Sequence, residues 1–209
     1  MRFNGLRWPL LLSVSIAAVS IAAASGADNG KSKFEVRAAA DYPHRQTSEK
    51  VTIAAEPFVT DEQAHEAFGK INPYRLGVLP VLIVIENNGP DAIRIDRAKI
   101  VYNLPDGNRV EATPAQDVKY LNGAKEPSLV PGPFGRTGVK KVKSGPLGEW
   151  EIEGRALAAK MLPAGQSASG FVYFQVPLVS AAASVYISGL ENPVTGKQLF
   201  YFEIPMSEK

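Results

Sequence analysis

From residue 50 onward, apolar and polar positions alternate with a period of two over much of the chain. Val51, Ile53 and Ala55 stand against Thr52, Ala54 and Glu56, which predicts a strand ending at Pro57. Residues 78–85 (VLPVLIVI) are apolar except for Pro80. Such a run predicts a strand buried on both faces, central in its sheet and lying under a helix or loop. Residues 86–91 (ENNGPD) read as a turn. Ile93 and Ile95 then alternate with Arg94 and Asp96, but Ala98, Ile100 and Tyr102 fall on the opposite parity. A strand that changes phase in this way must bulge or pass from one sheet to another, as at a sandwich corner. Val110 and Ala112 follow the turn at 105–108 (PDGN), and residues 149–153 (EWEIE) alternate as an edge strand would. The last third, with 171–176 (FVYFQV), 184–187 (SVYI) and 198–204 (QLFYFEI), is rich in aromatic and β-branched residues, and the last two runs are separated by turn residues 191–196 (ENPVTG).

Two segments carry helical signals instead. Thr60-Asp61-Glu62-Gln63 fits a capping box and precedes a short helix closed by Gly69, Asn72 and Pro73, expected to cross one end of the sheets. Residues 155–162 (RALAAKML) predict a second short helix, stopped by Pro163. The sum is an all-β, immunoglobulin-like β-sandwich of about seven strands with one or two short helices and a long loop. That loop, residues 114–148, has five prolines and little periodicity.

The N-terminus follows a different pattern. Arg2 and Arg7 precede an apolar run over residues 10–24, and Ser25-Gly26-Ala27 supplies small residues for cleavage. That order predicts a secretory signal peptide over 1–27; the rival reading is an uncleaved anchor helix, against which the run is short of the roughly 20 residues that span a bilayer. Residues 28–48 are polar and alanine-rich and predict a flexible leader, leaving 49–209 as the folded domain. Export places the chain in the periplasm or outside the cell, with no transmembrane span after cleavage.

Cysteine is absent, so no disulfide braces the fold, and thiolate metal sites, iron–sulfur clusters and lipid attachment through a cysteine are excluded. The 23 basic and 21 acidic residues give +2; residues 1–27 hold two basic and no acidic ones, so 28–209 balance at zero (23 − 2 = 21 of each sign). A balanced chain gives no general steering toward nucleic acid.

Candidate chemistry is sparse. Only His44 and His65 are present; His65 lies four residues after Asp61 on the first helix, and two ligands do not make a metal site. There is no G-x-S-x-G elbow for a nucleophilic serine, and Glu149, Glu151 and Glu153 fall on one face of the expected strand rather than as an opposed carboxylate pair. No cofactor is implied. Residues 132–143 concentrate Arg136, Lys140, Lys141 and Lys143 among glycines, without the spacing of a phosphate-binding P-loop. Either a solvated hairpin tip or a cradle for an anionic group fits that composition. Tyr173, Tyr186 and Tyr201 lie opposite in parity to Phe174, Phe200 and Phe202. With Val81, Ile83, Ile85, Ile100 and the three phenylalanines in the core, the tyrosines either form an outward stripe for a sugar or protein, or lie beneath a covering element.

Three stretches, 81–89 (VLIVIENNG) running on to Ile93–Ile100, 162–174 (LPAGQSASGFVYF) and 200–205 (FYFEIP), resemble telokin-like, immunoglobulin-related domains of exported bacterial proteins, most of unknown function. The resemblance implies a sandwich fold and carries no catalytic or binding residues. The expected function is a non-enzymatic module with a binding, scaffold or envelope-structural role, its partner a protein or glycan of the cell envelope. The alternative is a carbohydrate- or peptide-binding module using the tyrosine face or the basic loop. A scaffold should lack a concave pocket that gathers polar groups, whereas a binding module should have one lined by tyrosines.

Overall fold

The computed structural model describes residues 34–121, 129–131, 137–139, 145–148, 150–176 and 182–206. Residues 1–33, and with them the expected signal peptide, lie outside that set. Among the described residues no helix is long and apolar enough to cross a membrane.

The chain is all-β and sandwich-like. Its first sheet takes β1 (Arg45–Ser48), β2 (Val51–Pro57), β3 (Leu79–Asn87) and β10 (Ser167–Phe174) in the order β1-β2-β3-β10. The second takes β12 (Phe202–Pro205), β11 (Ser184–Ser188), β5 (Lys99–Asn103) and β6 (Arg109–Glu111) in the order β12-β11-β5-β6. The pairings between these strands are antiparallel, with Ile83 opposite Gly170 and Ile187 opposite both Ile100 and Phe202. Two small pairs complete the strands: β4 (Ile93–Arg94) with β9 (Met161–Leu162), and β7 (Leu129–Pro131) with β8 (Thr137–Val139). The phase change at 93–102 is a change of sheet: β4 and β5 are separate strands with different partners.

Period-two alternation sorts the side chains into two cores. Ile53, Val81, Ile83, Ile85, Tyr102, Phe174, Val185, Ile187, Phe202 and Ile204 meet between the sheets. The opposite face of the first sheet presents Ala54, Leu82, Val84, Phe171 and Tyr173. That face is covered by α1 (Asp61–Phe68), α2 (Ala115–Val118), α3 (Trp150–Gly154) and the segment before β1, which contribute Phe68, Val118, Ile152 and Tyr42. Burial on both faces is why β3 reads as an unbroken apolar run. Phe171 sits in an aromatic cluster, its ring 4.7 Å from Phe68 and 4.9 Å from Phe58.

Several expectations need correction. The ordered chain begins before Lys50: within 34–48, residues Ala39–Asp41 form a 3-10 turn, Ala39 and Tyr42 are buried, and β1 pairs along its length with β2. Isolated apolar residues anchor this segment, and isolated residues leave no periodic signature. Residues 150–154 form α3 rather than an edge strand, because Ile152 docks on the covered face of the first sheet; Glu149 lies outside the described residues. Residues 155–160 are irregular, followed by β9, since their backbone is taken up by β10: Leu157 N donates to Phe171 O and Phe171 N to Arg155 O. The first helix lies over a sheet face rather than across an end.

The capping box is present as expected. Thr60 Oγ1 accepts from Gln63 N at 3.3 Å, and Gln63 Oε1 accepts from Thr60 N at 3.3 Å. Thr60→Ala removes the accepting side of this pair and is expected to lower stability by about 1 kcal/mol. Urea unfolding should show an earlier midpoint with an unchanged slope; an unmoved midpoint would mean that packing of Phe68 alone holds α1.

Candidate binding surface at the β1–β12 edge

The two sheets face each other edge to edge where β1 meets β12, and side chains close the gap. Gln46 Oε1 accepts from Glu203 N at 2.7 Å, and Glu49 Oε1 accepts from Phe200 N at 3.2 Å. An unpaired strand edge is thereby blunted by side chains rather than by another strand.

Glu49 and Lys50 form the two-residue turn between β1 and β2, with φ of 47° and 64°. Such tight hairpin turns favour Asn-Gly because both positions need the left-handed region, so a Glu-Lys pair there is strained. Contacts 148 and 151 residues away along the chain hold Glu49 in place: Lys197 Nζ lies 2.7 Å from Glu49 Oε2, beside the bond from Phe200 N. The lysine hydrogen bond, then the Phe200 amide, holds the Glu49 carboxyl below its ordinary value of 4.5. A depressed folded-state pKa means that the contribution is present above the unfolded value and disappears as pH falls through the folded one. Acidification below 4.5 is therefore expected to release Phe200 N, read as a titrating amide shift in NMR that Glu49→Gln removes. A Phe200 amide that is flat between pH 6 and pH 2 would show the contact to be incidental.

This turn meets two others. Residues 88–92 follow β3, and the 190–199 segment is pinned to β4 by Arg94 N donating to Glu191 O at 2.8 Å and by the Arg94–Glu191 ion pair at 2.5 Å. Between them is a pocket of about 200 Å³ that gathers Glu49, Asn87, Asp91, Asn192 and Lys197 above Val51, Ile93 and Leu199. Asn192 Nδ2 donates to Asp91 Oδ2 at 3.1 Å. Asn87 is 1% exposed and spends its amide internally: Nδ2 lies 2.8, 3.2 and 3.1 Å from the carbonyls of Asp91, Leu162 and Pro163, and Oδ1 accepts from Gly89 N. Asn87 therefore builds the pocket wall, while Asp91, Asn192 and Lys197 keep polar capacity toward solvent.

Beside the pocket lies an aromatic surface. Phe200 is 69% exposed and Tyr201 53% exposed. Tyr201 stacks on half-buried Tyr186 of β11, with ring centroids 5.3 Å apart and planes 28° from parallel. Val194, on the adjoining turn, is also exposed.

The predicted site residues separate on this map. Tyr186 and Tyr201 come together on the outer face of the second sheet. Tyr173 does not join them: it is 1% exposed on the covered face of the first sheet, its hydroxyl donates to Ile152 O at 2.7 Å, and burial pushes its pKa up. The three-tyrosine stripe is thus reduced to a pair, because Tyr173 belongs to a different sheet and lies under α1 and α3. Phe200, expected in the core, is exposed because β12 begins only at Phe202 and Leu199 is the residue that packs inward. Ile100 is half-buried rather than fully so, whereas Val81, Ile83, Ile85, Phe174 and Phe202 are buried as expected. Arg136, Lys140, Lys141 and Lys143 lie outside the described residues. Asp61 is engaged by Arg75 and by Asn72 Nδ2 at 2.9 Å, and among the described residues no cluster of three or more potential ligands surrounds a metal position.

No family model matches the chain, and no curated protein matches it. Among solved structures, a candidate lipoprotein of Bacillus subtilis aligns at 11% identity and a TM-score of 0.37, covering 79% of this chain and 39% of its own length. The chain thus spans well under half of that protein. A candidate ApaA protein of Bordetella pertussis aligns at 9% identity and a TM-score of 0.36, covering 80% of this chain and 99% of its own. A protein of unknown function from Listeria monocytogenes aligns at 12% and 0.35, covering 79% and 82%. No residue role passes to this chain from any of them.

Proposed function

We propose that the chain is an exported, non-catalytic binding module of the immunoglobulin-related sandwich type that takes carbohydrate on the β1–β12 edge. The observation that carries this reading is the exposed Phe200–Tyr201–Tyr186 group next to a pocket of mixed donors and acceptors. A sugar ring has an apolar face for an aromatic side chain and hydroxyls that both donate and accept, which suits carboxylate, amide and ammonium groups side by side. A pure scaffold has no use for large exposed aromatics beside a polar pocket. The pocket is lined by Glu49, Asp91, Asn192 and Lys197 rather than by tyrosines, so the aromatic pair serves as a flank. Export is supported by the N-terminal charge, apolar run and small-residue site at 1–27.

Calorimetric titration with soluble cell-envelope oligosaccharides should give saturable binding. Tyr201→Ala should weaken it by about tenfold, in the range for losing one aromatic contact of 1–2 kcal/mol, with unchanged thermal unfolding. Saturable binding of extended peptides with no response to any oligosaccharide would replace the ligand class; equal affinity of Tyr201→Ala and the parent protein would remove the surface.

A further inference from the structure

On the other flank β10 lies near β5 and β6, and Thr113, just after β6, bridges to it through Thr113 N donating to Tyr173 O at 2.7 Å. A cleft of about 320 Å³ enters between the sheets, lined by Ile95, Ala98 and Ile100 on one side, by Leu157 and Ala159 on the other, and by Val172 of β10. Ile95 and Val172 belong to the inter-sheet core and the other four pack against it, so the cleft is an unfilled continuation of that core.

Its walls are held by backbone. Ile95 N and Asp96 N both donate to Lys160 O, at 2.8 and 3.1 Å, and Leu157 is tied to Phe171. Gly170 permits this close approach, since a Cβ there would lie 2.4 Å from the Leu157 backbone. The volume is within the roughly 300–1,000 Å³ of small-molecule sites, and the lining is mostly apolar with a few polar groups, as in such sites.

Two charged side chains flank the cleft. The Asp96 carboxylate has Arg94 Nε at 3.9 Å. Lys160 is exposed and pairs with no carboxylate of the described residues within 4 Å. Arg94 and Arg97 share Glu191, at 2.5 and 3.4 Å, so Arg94, Arg97 and Lys160 outnumber the carboxylates Asp96 and Glu191 by one (3 − 2) and the rim is net positive.

We propose that this cleft binds a medium-chain carboxylate, its alkyl body between Ile100, Leu157 and Val172 and its anionic head at Lys160. At about 30 Å³ per non-hydrogen atom, 320 Å³ holds roughly ten such atoms, the size of octanoate. The site is independent of the aromatic surface, and either can stand without the other.

The test is an NMR titration of the protein with butanoate, hexanoate, octanoate and dodecanoate, with octyltrimethylammonium as the cationic counterpart. Affinity should rise about fourfold per methylene, the equivalent of about 0.8 kcal/mol, up to octanoate and then level off. Shifts should concentrate at residues 95–100, 157–160 and Val172. Lys160→Gln, a change at an exposed side chain, should weaken octanoate roughly fivefold and leave 1-octanol unaffected. Ala159→Phe should fill the cleft and abolish binding, with thermal unfolding confirming the fold; if that variant does not fold, Lys160→Gln decides. Absence of saturable octanoate binding, equal affinity for the cationic amphiphile, or shifts centred on Phe200 and Tyr201 would each overturn the proposal.

Discussion

Phe202→Ala is expected to lower the free energy of unfolding by about 3–5 kcal/mol, whereas Phe200→Ala should change it by less than about 0.5 kcal/mol. The two residues are neighbours but one in the chain and identical in chemistry, so the contrast isolates burial. Phe202 is fully buried opposite Ile187 and belongs to the inter-sheet core. Removing its ring takes away the transfer term and leaves a cavity that β11 and β12 cannot close without losing register. With no disulfide to brace the chain, this is a large share of the roughly 5–15 kcal/mol that holds a domain together. Phe200 precedes the strand and projects into solvent. Urea denaturation of both variants beside the parent checks the pair. A larger loss from Phe200→Ala would place the start of β12 at least two residues earlier, with Phe200 on the same inward face as Phe202.

Asn87→Ala should cost about 3 kcal/mol. Its side chain joins two stretches 75 residues apart, tying the turn after β3 to the Leu162–Pro163 carbonyls that lead into β10. The backbone joins in, with Gly165 N donating to Asn87 O at 2.8 Å. Truncation strands buried carbonyls and the Gly89 amide at once, and each unsatisfied buried group costs about 1–3 kcal/mol, moderated where water enters. Asn87→Asp should be no better, since it keeps the acceptor for Gly89 but loses both donors and buries a carboxyl. A midpoint in urea within error of the parent for Asn87→Ala would show that the β3–β10 pairing alone fixes these turns.

These two residues also show how far the sequence could be read. The apolar run ending in Asn87-Asn88-Gly89 and the Pro163–Gly165 turn were legible as strand and turn signals, and they prove to be hydrogen-bonded to each other. The sheet change between Ile95 and Ala98 was legible because alternation breaks there. Phe200 was misread because parity holds only while a strand lasts, and β12 ends where its pairing with β11 ends, at Ile187–Phe202. Residues 150–154 are too short for a period of two to be told from a helical turn; the contact of Ile152 with the first sheet decides. Tyr173 and Tyr186 share a strand-parity rule but not a sheet, and parity within a strand says nothing about which sheet face receives a cover. The pocket was not legible at all. Glu49, Asp91, Asn192 and Lys197 come from three turns separated by some forty to a hundred residues, with no spacing to mark them.

The assignment of the β1–β12 edge as the ligand surface is tested most directly by mapping amide shifts of the isotope-labelled protein against a soluble envelope oligosaccharide that it retains. Saturable shifts should centre on Glu49, Asp91, Asn192, Lys197, Phe200 and Tyr201, and the β2–β3 core should stay still. Shifts that leave Lys197, Phe200 and Tyr201 unmoved while another surface saturates would contradict it.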